Sequence, residues 1–241
     1  KALFANNISG YYNTAQGCQA LAANTSGWRN TAVGYQALYS NTNNSENSAT
    51  GYRALYSTTT GAGNTAMGSQ ALYSNVGGYG NTAVGNNALY SSTLSNNTAI
   101  GYNADVSPGY LNATAIGYNA KVNASNKIIL GNASATTVGG YGAWTNYSDK
   151  RLKENIVYRN EPGLNFITRL KPVSFNYIDD TNKRRRDGLI AQDVQQALEN
   201  LGIEFSGLII DDDAVKTMNL SYSEFVIPLI NAVRELKAEN D

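Results

Sequence analysis

Eight near-copies of one phrase, Asn-Thr-Ala-x-Gly-x-x-Ala-Leu, run through residues 1–131 and constrain this chain more than any other feature. Their glycines stand at Gly17, Gly34, Gly51, Gly68, Gly85, Gly101, Gly117 and Gly131, at spacings of 17, 17, 17, 17, 16, 16 and 14 residues. A period this short marks a solenoid in which each repeat is one coil stacked on the last. A helical reading fails, because no 3.6-residue spacing persists and glycine recurs inside every unit. Instead the apolar positions alternate, as in Ala32, Gly34 and Ala37-Leu38 around Val33 and Tyr35. The pattern predicts two short strands and two turns per coil, with small residues inside a flattened parallel β-roll. The repeated Asn, whose side chain mimics a backbone turn, is expected to hydrogen-bond the turns above and below it. Such an array has no pocket of its own, so catalytic chemistry is expected after the repeats stop.

Composition divides the chain near Tyr147. Up to and including it stand five basic and two acidic residues and 14 of the 17 tyrosines; after it come 13 basic and 16 acidic residues, so a neutral total conceals two unlike halves. The expected organisation is a repeat domain over 1–140, a linker over 141–147 and a second domain over 148–241. No histidine is present, which removes Ser-His-Asp and Cys-His catalysis and most zinc sites. Cys18, the single cysteine, excludes an intrachain disulfide and reads as a packed, inert thiol. No cofactor or metal is expected. No apolar run approaches the ~20 residues needed to span a bilayer, so no membrane insertion is expected. The chain opens on Lys1 rather than methionine, which suggests a piece of something longer.

Asn97-Thr98-Ala99-Ile100-Gly101, Ala113-Thr114-Ala115-Ile116-Gly117 and Asn126-Lys127-Ile128-Ile129-Leu130-Gly131 resemble the head repeats of trimeric autotransporter adhesins. That resemblance covers about half the chain and implies a left-handed parallel β-roll, three of which pack side by side as a homotrimer. Tyr35, Tyr39, Tyr52, Tyr56, Tyr73, Tyr90, Tyr102 and Tyr118 recur at set positions. They read either as a surface for a host cell-surface glycan or protein, or as a stacked ladder covering the roll or lining the trimer contact. Stacking accounts for the periodicity without a ligand and is the preferred reading.

From Ser148 the pattern is that of a smaller α+β domain ending in a long helix. Phe166 to Leu170 reads as a short helix, and Val173 to Tyr177 and Gly188 to Ala191 as strands. Gln192 to Leu201 has a helical stripe stopped by Gly202. Ser221-Tyr222-Ser223-Glu224 has the form of a capping box. After it Tyr222, Phe225, Leu229, Val233 and Leu236 form an apolar stripe expected to pack on its copies in a trimer, with Pro228 either kinking the helix or opening its second segment. Lys183-Arg184-Arg185-Arg186, balanced by Asp179, Asp180 and Asp187, reads as a solvated loop, and no nucleic acid is expected. Asp211-Asp212-Asp213 lacks the spacing of a calcium loop and reads as a surface turn.

Four blocks in this half resemble the C-terminal intramolecular chaperone of phage endosialidases and tail fibres, a self-cleaving peptidase family. They are Ser148-Asp149-Lys150-Arg151-Leu152-Lys153-Glu154-Asn155-Ile156, Leu170 through Tyr177, Gly188 through Val194, and Tyr222 through Leu229. The resemblance implies a domain that trimerises, helps the upstream fibre fold and then cuts itself away. It implies Ser148 as nucleophile, Lys153 as its base and Tyr147–Ser148 as the scissile bond. The chemistry is consistent: a serine needs a base, and without histidine lysine is the remaining common choice. A free lysine, with a pKa of about 10.4, needs burial or neighbouring cations to serve near neutrality. Residues five apart lie about 140° apart on a helix and on opposite faces of a strand. Either a tight turn brings the pair together, or Lys153 of one subunit serves Ser148 of another.

The expected function is therefore a single-turnover autocatalytic serine endopeptidase at the end of a homotrimeric phage tail fibre or spike, in the virion tail, with the chaperone released in the host cytoplasm. The alternative is a structural trimeric adhesin that keeps its C-terminal domain as a permanent clamp.

Overall fold

The structure, a computed structural model, describes residues 9–135, 137–139, 141 and 145–241. The chain divides into two compact units, Lys1–Ala135 and Thr136–Asp241. The interval expected to link them falls partly outside the described residues.

The first unit is a parallel β-solenoid. Eight three-residue strands stack in one parallel sheet: β1 (Thr14–Gln16), β2 (Thr31–Val33), β3 (Ser48–Thr50), β4 (Thr65–Met67), β5 (Thr82–Val84), β6 (Thr98–Ile100), β8 (Thr114–Ile116) and β10 (Ile128–Leu130). Each pairs in register with the same motif residues one coil on, so Ala32 meets Ala49 and Ala66 meets Ala83. The middle alanine points inward and is buried from β2 to β8, while its neighbours face out; in β10 the middle residue is half-buried Ile129. With the Ala-Leu pairs, such as Ala37-Leu38 and Ala54-Leu55, these alanines form one continuous core.

The other side of the coil differs from the expected second strand. In the earlier coils the segment after the glycine is a turn in which alternate residues are left-handed, such as Gln36 (φ 54°) and Leu38 (φ 51°). This conformation is unfavourable for a leucine. It aims the Gln36 N–H back at Cys18 O and the Leu38 N–H forward at Ala54 O, so each coil still bonds to both neighbours. An extended second strand appears only in the later coils, where β7 (Asp105–Val106) pairs with β9 (Lys121–Val122).

Two details of the repeat are explained by stacking. The motif glycines have φ from +113° to +140° from Gly17 to Gly117, and a Cβ on Gly68 would lie 2.3 Å from the Gly85 carbonyl oxygen. The motif asparagines form a buried ladder. Asn47 Oδ1 accepts from the backbone N–H of Asn64 at 3.0 Å, and Asn47 Nδ2 donates to Gly61 O at 2.9 Å. The same acceptance continues from Asn64 to Asn81 and from Asn81 to Asn97. The tyrosines do stack: Tyr39, Tyr56, Tyr73 and Tyr90 lie 5.1–5.2 Å apart with planes within 6°. Cys18 departs from expectation, for it is exposed. The residue after each glycine faces outward, as Tyr35 and Tyr52 also do.

In the second unit α1 (Leu164–Ile167) leads to a hairpin of β11 (Val173–Phe175) and β12 (Arg186–Gly188), then α2 (Ala191–Leu201), closed by left-handed Gly202. A second hairpin, β13 (Leu208–Ile210) with β14 (Met218–Leu220), was not anticipated; its strands are too short to show alternation. α3 (Val226–Asn240) ends the chain. Phe166, Val194, Ala197, Leu198 and Phe225 form a small core, with Phe205 edge-on to Phe225 at 4.9 Å. The strand expected over Gly188–Ala191 lies two residues earlier, because Ile190 already precedes the first turn of α2.

The capping box does not form. Ser221 precedes a 3-10 turn over Tyr222–Phe225 without a side-chain cap bond, and Glu224 instead accepts from Ser206 Oγ at 3.0 Å. Pro228 sits in the first turn of α3, where its missing N–H costs nothing. The apolar stripe is not buried as a unit. Phe225 enters the core, whereas Leu229, Val233 and Leu236 are exposed. α3 meets α1 through another face: Asn231 Nδ2 donates to Pro162 O at 3.1 Å, and Glu235 accepts the Leu164 N–H at 2.7 Å. Arg184 pairs with enclosed Asp180 at 3.0 Å and, by hydrogen bonding, holds its carboxyl below the usual range. Asp211 and Asp213 are buried rather than on the surface; Asp213 accepts the Thr217 N–H at 2.7 Å and so ties the turn between β13 and β14.

Candidate active site

Ser148 and Lys153, five positions apart, are joined by a tight turn. Asp149, extended at φ −64° and ψ 131°, starts a single 3-10 turn over Lys150–Leu152. Its side chain accepts the Arg151 N–H at 2.9 Å, the ordinary way an aspartate opens a helical turn. The Leu152 N–H returns to Asp149 O at 3.0 Å and the Lys153 N–H to Lys150 O at 3.2 Å. The backbone then extends at Lys153, φ −125°, and turns its side chain back along the segment. Lys153 Nζ comes to 2.9 Å from Ser148 Oγ, donating to it. Within this chain a tight turn thus brings the two side chains together.

A guanidinium clamp fixes that turn. Arg151 Nε lies 3.1 Å from both oxygens of Asp149, and Arg151 Nη2 lies 2.6 Å from Oδ2. A planar donor fork on a carboxylate restricts orientation as well as distance. The Arg151 bonds hold the Asp149 carboxyl below its usual pKa, and the carboxylate raises that of Arg151. In the sequence Arg151 is one member of the Ser148–Ile156 block; its pairing two residues back required the turn to be known.

Tyr147, Ser148 and Lys153 are all exposed, and Tyr147 retains 93 % of its accessible surface. Apolar side chains beside them are also uncovered: Leu152, Val157 and Tyr158 are 68 %, 74 % and 94 % exposed. The remaining blocks converge elsewhere in the unit. The Leu189 N–H donates to Tyr222 Oη at 2.8 Å. A Cβ on Gly188 would meet that hydroxyl at 2.5 Å and the Phe175 ring at 3.1 Å, so three blocks meet closely around this glycine.

This segment and its surroundings fit one known family. Residues 148–203 match the model of the chaperone of endosialidase family, a serine peptidase family. The match begins at Ser148 and runs through the clamp, α1, the first hairpin and α2, which supports a C-terminal chaperone domain of this kind. Among curated proteins, none matches the chain. In the chaperone domain the arrangement can deliver a hydroxyl to a carbonyl beside an amine that lies within proton-transfer distance. Among the described residues no helix is long and apolar enough to cross a membrane.

Proposed function

We propose that the chaperone domain assembles the solenoid as a homotrimeric phage tail fibre or spike and then releases itself by cutting Tyr147–Ser148. The observation that carries this reading is the 2.9 Å hydrogen bond between Lys153 Nζ and Ser148 Oγ at the first residue of the family match.

Lys153, once it has given up its ammonium proton, takes the proton of the Ser148 hydroxyl. Ser148 Oγ attacks the carbonyl carbon of Tyr147, the residue directly before it. Collapse of the tetrahedral adduct breaks the Tyr147–Ser148 C–N bond, and the proton held by Lys153 passes to the departing amine. The product is an ester joining the Tyr147 carbonyl to Ser148 Oγ. Water opens it, leaving a Tyr147 carboxylate and a free Ser148 hydroxyl and amine. Each molecule does this once.

Exposure in the isolated chain supports a role for assembly. A solvated ammonium is a poor base, and desolvation favours the neutral amine. The uncovered Leu152, Val157 and Tyr158 beside the pair, and the exposed Leu229, Val233 and Leu236 on α3, are surfaces that packing against further copies would bury. The solenoid has its own exposed apolar row in Met67, Ile100, Ile116 and Leu130, suited to contact between rolls. Near-identical coils pair one step out of register at little cost, and a globular trimeric end fixes both stoichiometry and register. The setting is the virion tail, with the freed domain left in the host cytoplasm.

Intact-mass measurement of freshly synthesised protein tests this. Two products meeting at Tyr147–Ser148 are expected, with a single uncut chain for Ser148→Ala and for Lys153→Arg, whose guanidinium stays protonated. An uncut wild-type trimer would refute release and leave a permanent adhesin clamp as the function.

A further inference from the structure

The stack formed by Tyr39, Tyr56, Tyr73 and Tyr90 has two ends, and they differ. One coil before Tyr39 the same position holds Ala22, and a cavity of about 240 Å³ opens there against small side chains, Ala22 and Ala23. One coil after Tyr90 the position holds Val106, whose side chain is buried in the core, so no fifth ring covers Tyr90. A groove of about 380 Å³ opens beside that last ring, walled by Gln70, Asn87, Asn103, Asp105 and Lys121. Its volume falls in the range of about 300–1,000 Å³ usual for small-molecule sites.

The polar wall is unspent. Gln70, Asn87 and Asn103 occupy one ladder, the second residue after successive glycines. Lower in that ladder the side chains are tied to one another: Gln36 Nε2 donates to Gln19 Oε1 at 2.7 Å, and Arg53 Nε to Gln36 Oε1 at 2.8 Å. Beside the groove, among the described residues, the side-chain amides of Gln70, Asn87 and Asn103 make no hydrogen bond to the protein. Asp105, by contrast, is held by Ser91 Oγ and lies 3.5 Å from Lys121 Nζ.

We propose that this groove is a binding subsite for a neutral saccharide. A pyranose has an apolar C–H face, which an aromatic ring accommodates, and a rim of hydroxyls that both donate and accept. The amides of Gln70 and Asn103 each offer two donors and an acceptor, and that of Asn87, whose Oδ1 is enclosed, offers its donors, so together they match that rim. A purely apolar ligand leaves the amides unpaired. A phosphate or an acidic sugar finds the only nearby cation among the lining residues, Lys121, already paired with Asp105. The subsite lies on the turn segment that follows the glycine, whereas the exposed apolar row lies on the sheet strands, so contact between rolls through that row does not use Tyr90. The inference stands independently of the Ser148 chemistry.

Saturation-transfer NMR on the full chain, with maltotriose, cellotriose, chitotriose and the acidic sialyllactose as probes, tests it. Transfer to the ring protons of at least one neutral probe is expected, with millimolar affinity. Tyr90→Leu should weaken it at least about tenfold while Tyr90→Phe, which keeps the platform, retains it. Asn103→Ala should weaken it, and Tyr39→Leu at the opposite end of the stack should leave it unchanged. No transfer to any neutral probe overturns the proposal. So does transfer confined to sialyllactose, or transfer that survives Tyr90→Leu in protein whose circular dichroism is intact.

Discussion

Two glycines within one coil, Gly63 and Gly68, should respond to substitution in opposite ways. Gly68 has φ +140°, a conformation costing a non-glycine residue about 1–3 kcal/mol. An added Cβ would stand 2.3 Å from Gly85 O and 2.5 Å from Gly85 C, which are backbone atoms of the next coil and cannot rotate aside. Relief requires the two coils to part by roughly an ångström to reach ordinary contact near 3.4 Å. That movement stretches the Gly85 N–H to Met67 O and Asn87 N–H to Ser69 O bonds, 2.8 and 2.9 Å, each worth about 1 kcal/mol net. Gly68→Ala should therefore destabilise the solenoid by roughly 3–5 kcal/mol. Gly63, at φ +66°, has only Gly80 N within 4 Å of its virtual Cβ, at 3.9 Å. The same position in other coils holds Glu46, Asn96 and Asn112 at φ 64°, 61° and 52°. Gly63→Asn should be neutral or stabilising by up to about 1 kcal/mol, through lost freedom of the unfolded chain. Urea unfolding followed by circular dichroism, with hydrogen exchange locating the loss to the coils around Gly68, measures both. Equal effects of the two substitutions would refute the stacking argument.

The second buried ladder, Asn24, Asn41, Thr58, Asn75 and Ser92, is interrupted where asparagine gives way. Asn41 Nδ2 reaches Asn24 Oδ1 at 3.0 Å, but Asn41 Oδ1, facing the coil of Thr58, has no partner. Thr58→Asn gives up the Thr58 Oγ1 bond to Asn75 O at 2.9 Å but supplies the missing donor and an acceptor for the Asn75 amide, two bonds for one, and should raise stability by about 1 kcal/mol in the same urea assay. At the candidate active site, Asp149→Asn keeps an oxygen for the Arg151 N–H but removes the charge held by the guanidinium, and should slow cleavage several-fold in a timed gel assay. Because the folded-state carboxyl lies below its unfolded value of about 3.9, the clamp is complete above that pH and is lost only as pH falls through the depressed value. Between pH 5 and 7 the ratio of wild-type to Asp149→Asn rates should stay constant; a ratio collapsing by pH 5 would contradict the clamp.

The repeat made the parallel solenoid legible, since the recurring glycine and asparagine each serve one stacking contact. The same residues did not disclose the turn on the coil's far side. Alternation around Ala37-Leu38 is the same for a strand and for a turn with left-handed Gln36 and Leu38; only the bonds to neighbouring coils separate them. Cys18 was misjudged because a single coil does not say which row faces outward. In the second unit α2 was readable from its stripe and its terminal glycine. The capping box failed because Glu224 had a better-placed partner, Ser206, distant in sequence. The site residues came from resemblance, and their meeting through a clamped turn lay beyond periodicity, for a five-residue step belongs to no regular element.

The glycine stack also separates two dimensions of the rod. Coils of 17, 16 and 14 residues all join the same sheet with the same strand pairing, as β4 to β5, β5 to β6 and β8 to β10 illustrate. Residues gained or lost within a coil therefore alter its girth, while the strand spacing of about 4.8 Å per coil is left untouched. Length changes only by whole coils. A solenoid of this kind measures its reach by counting, and each coil can vary its outward turn, including a groove such as that beside Tyr90, without disturbing the count.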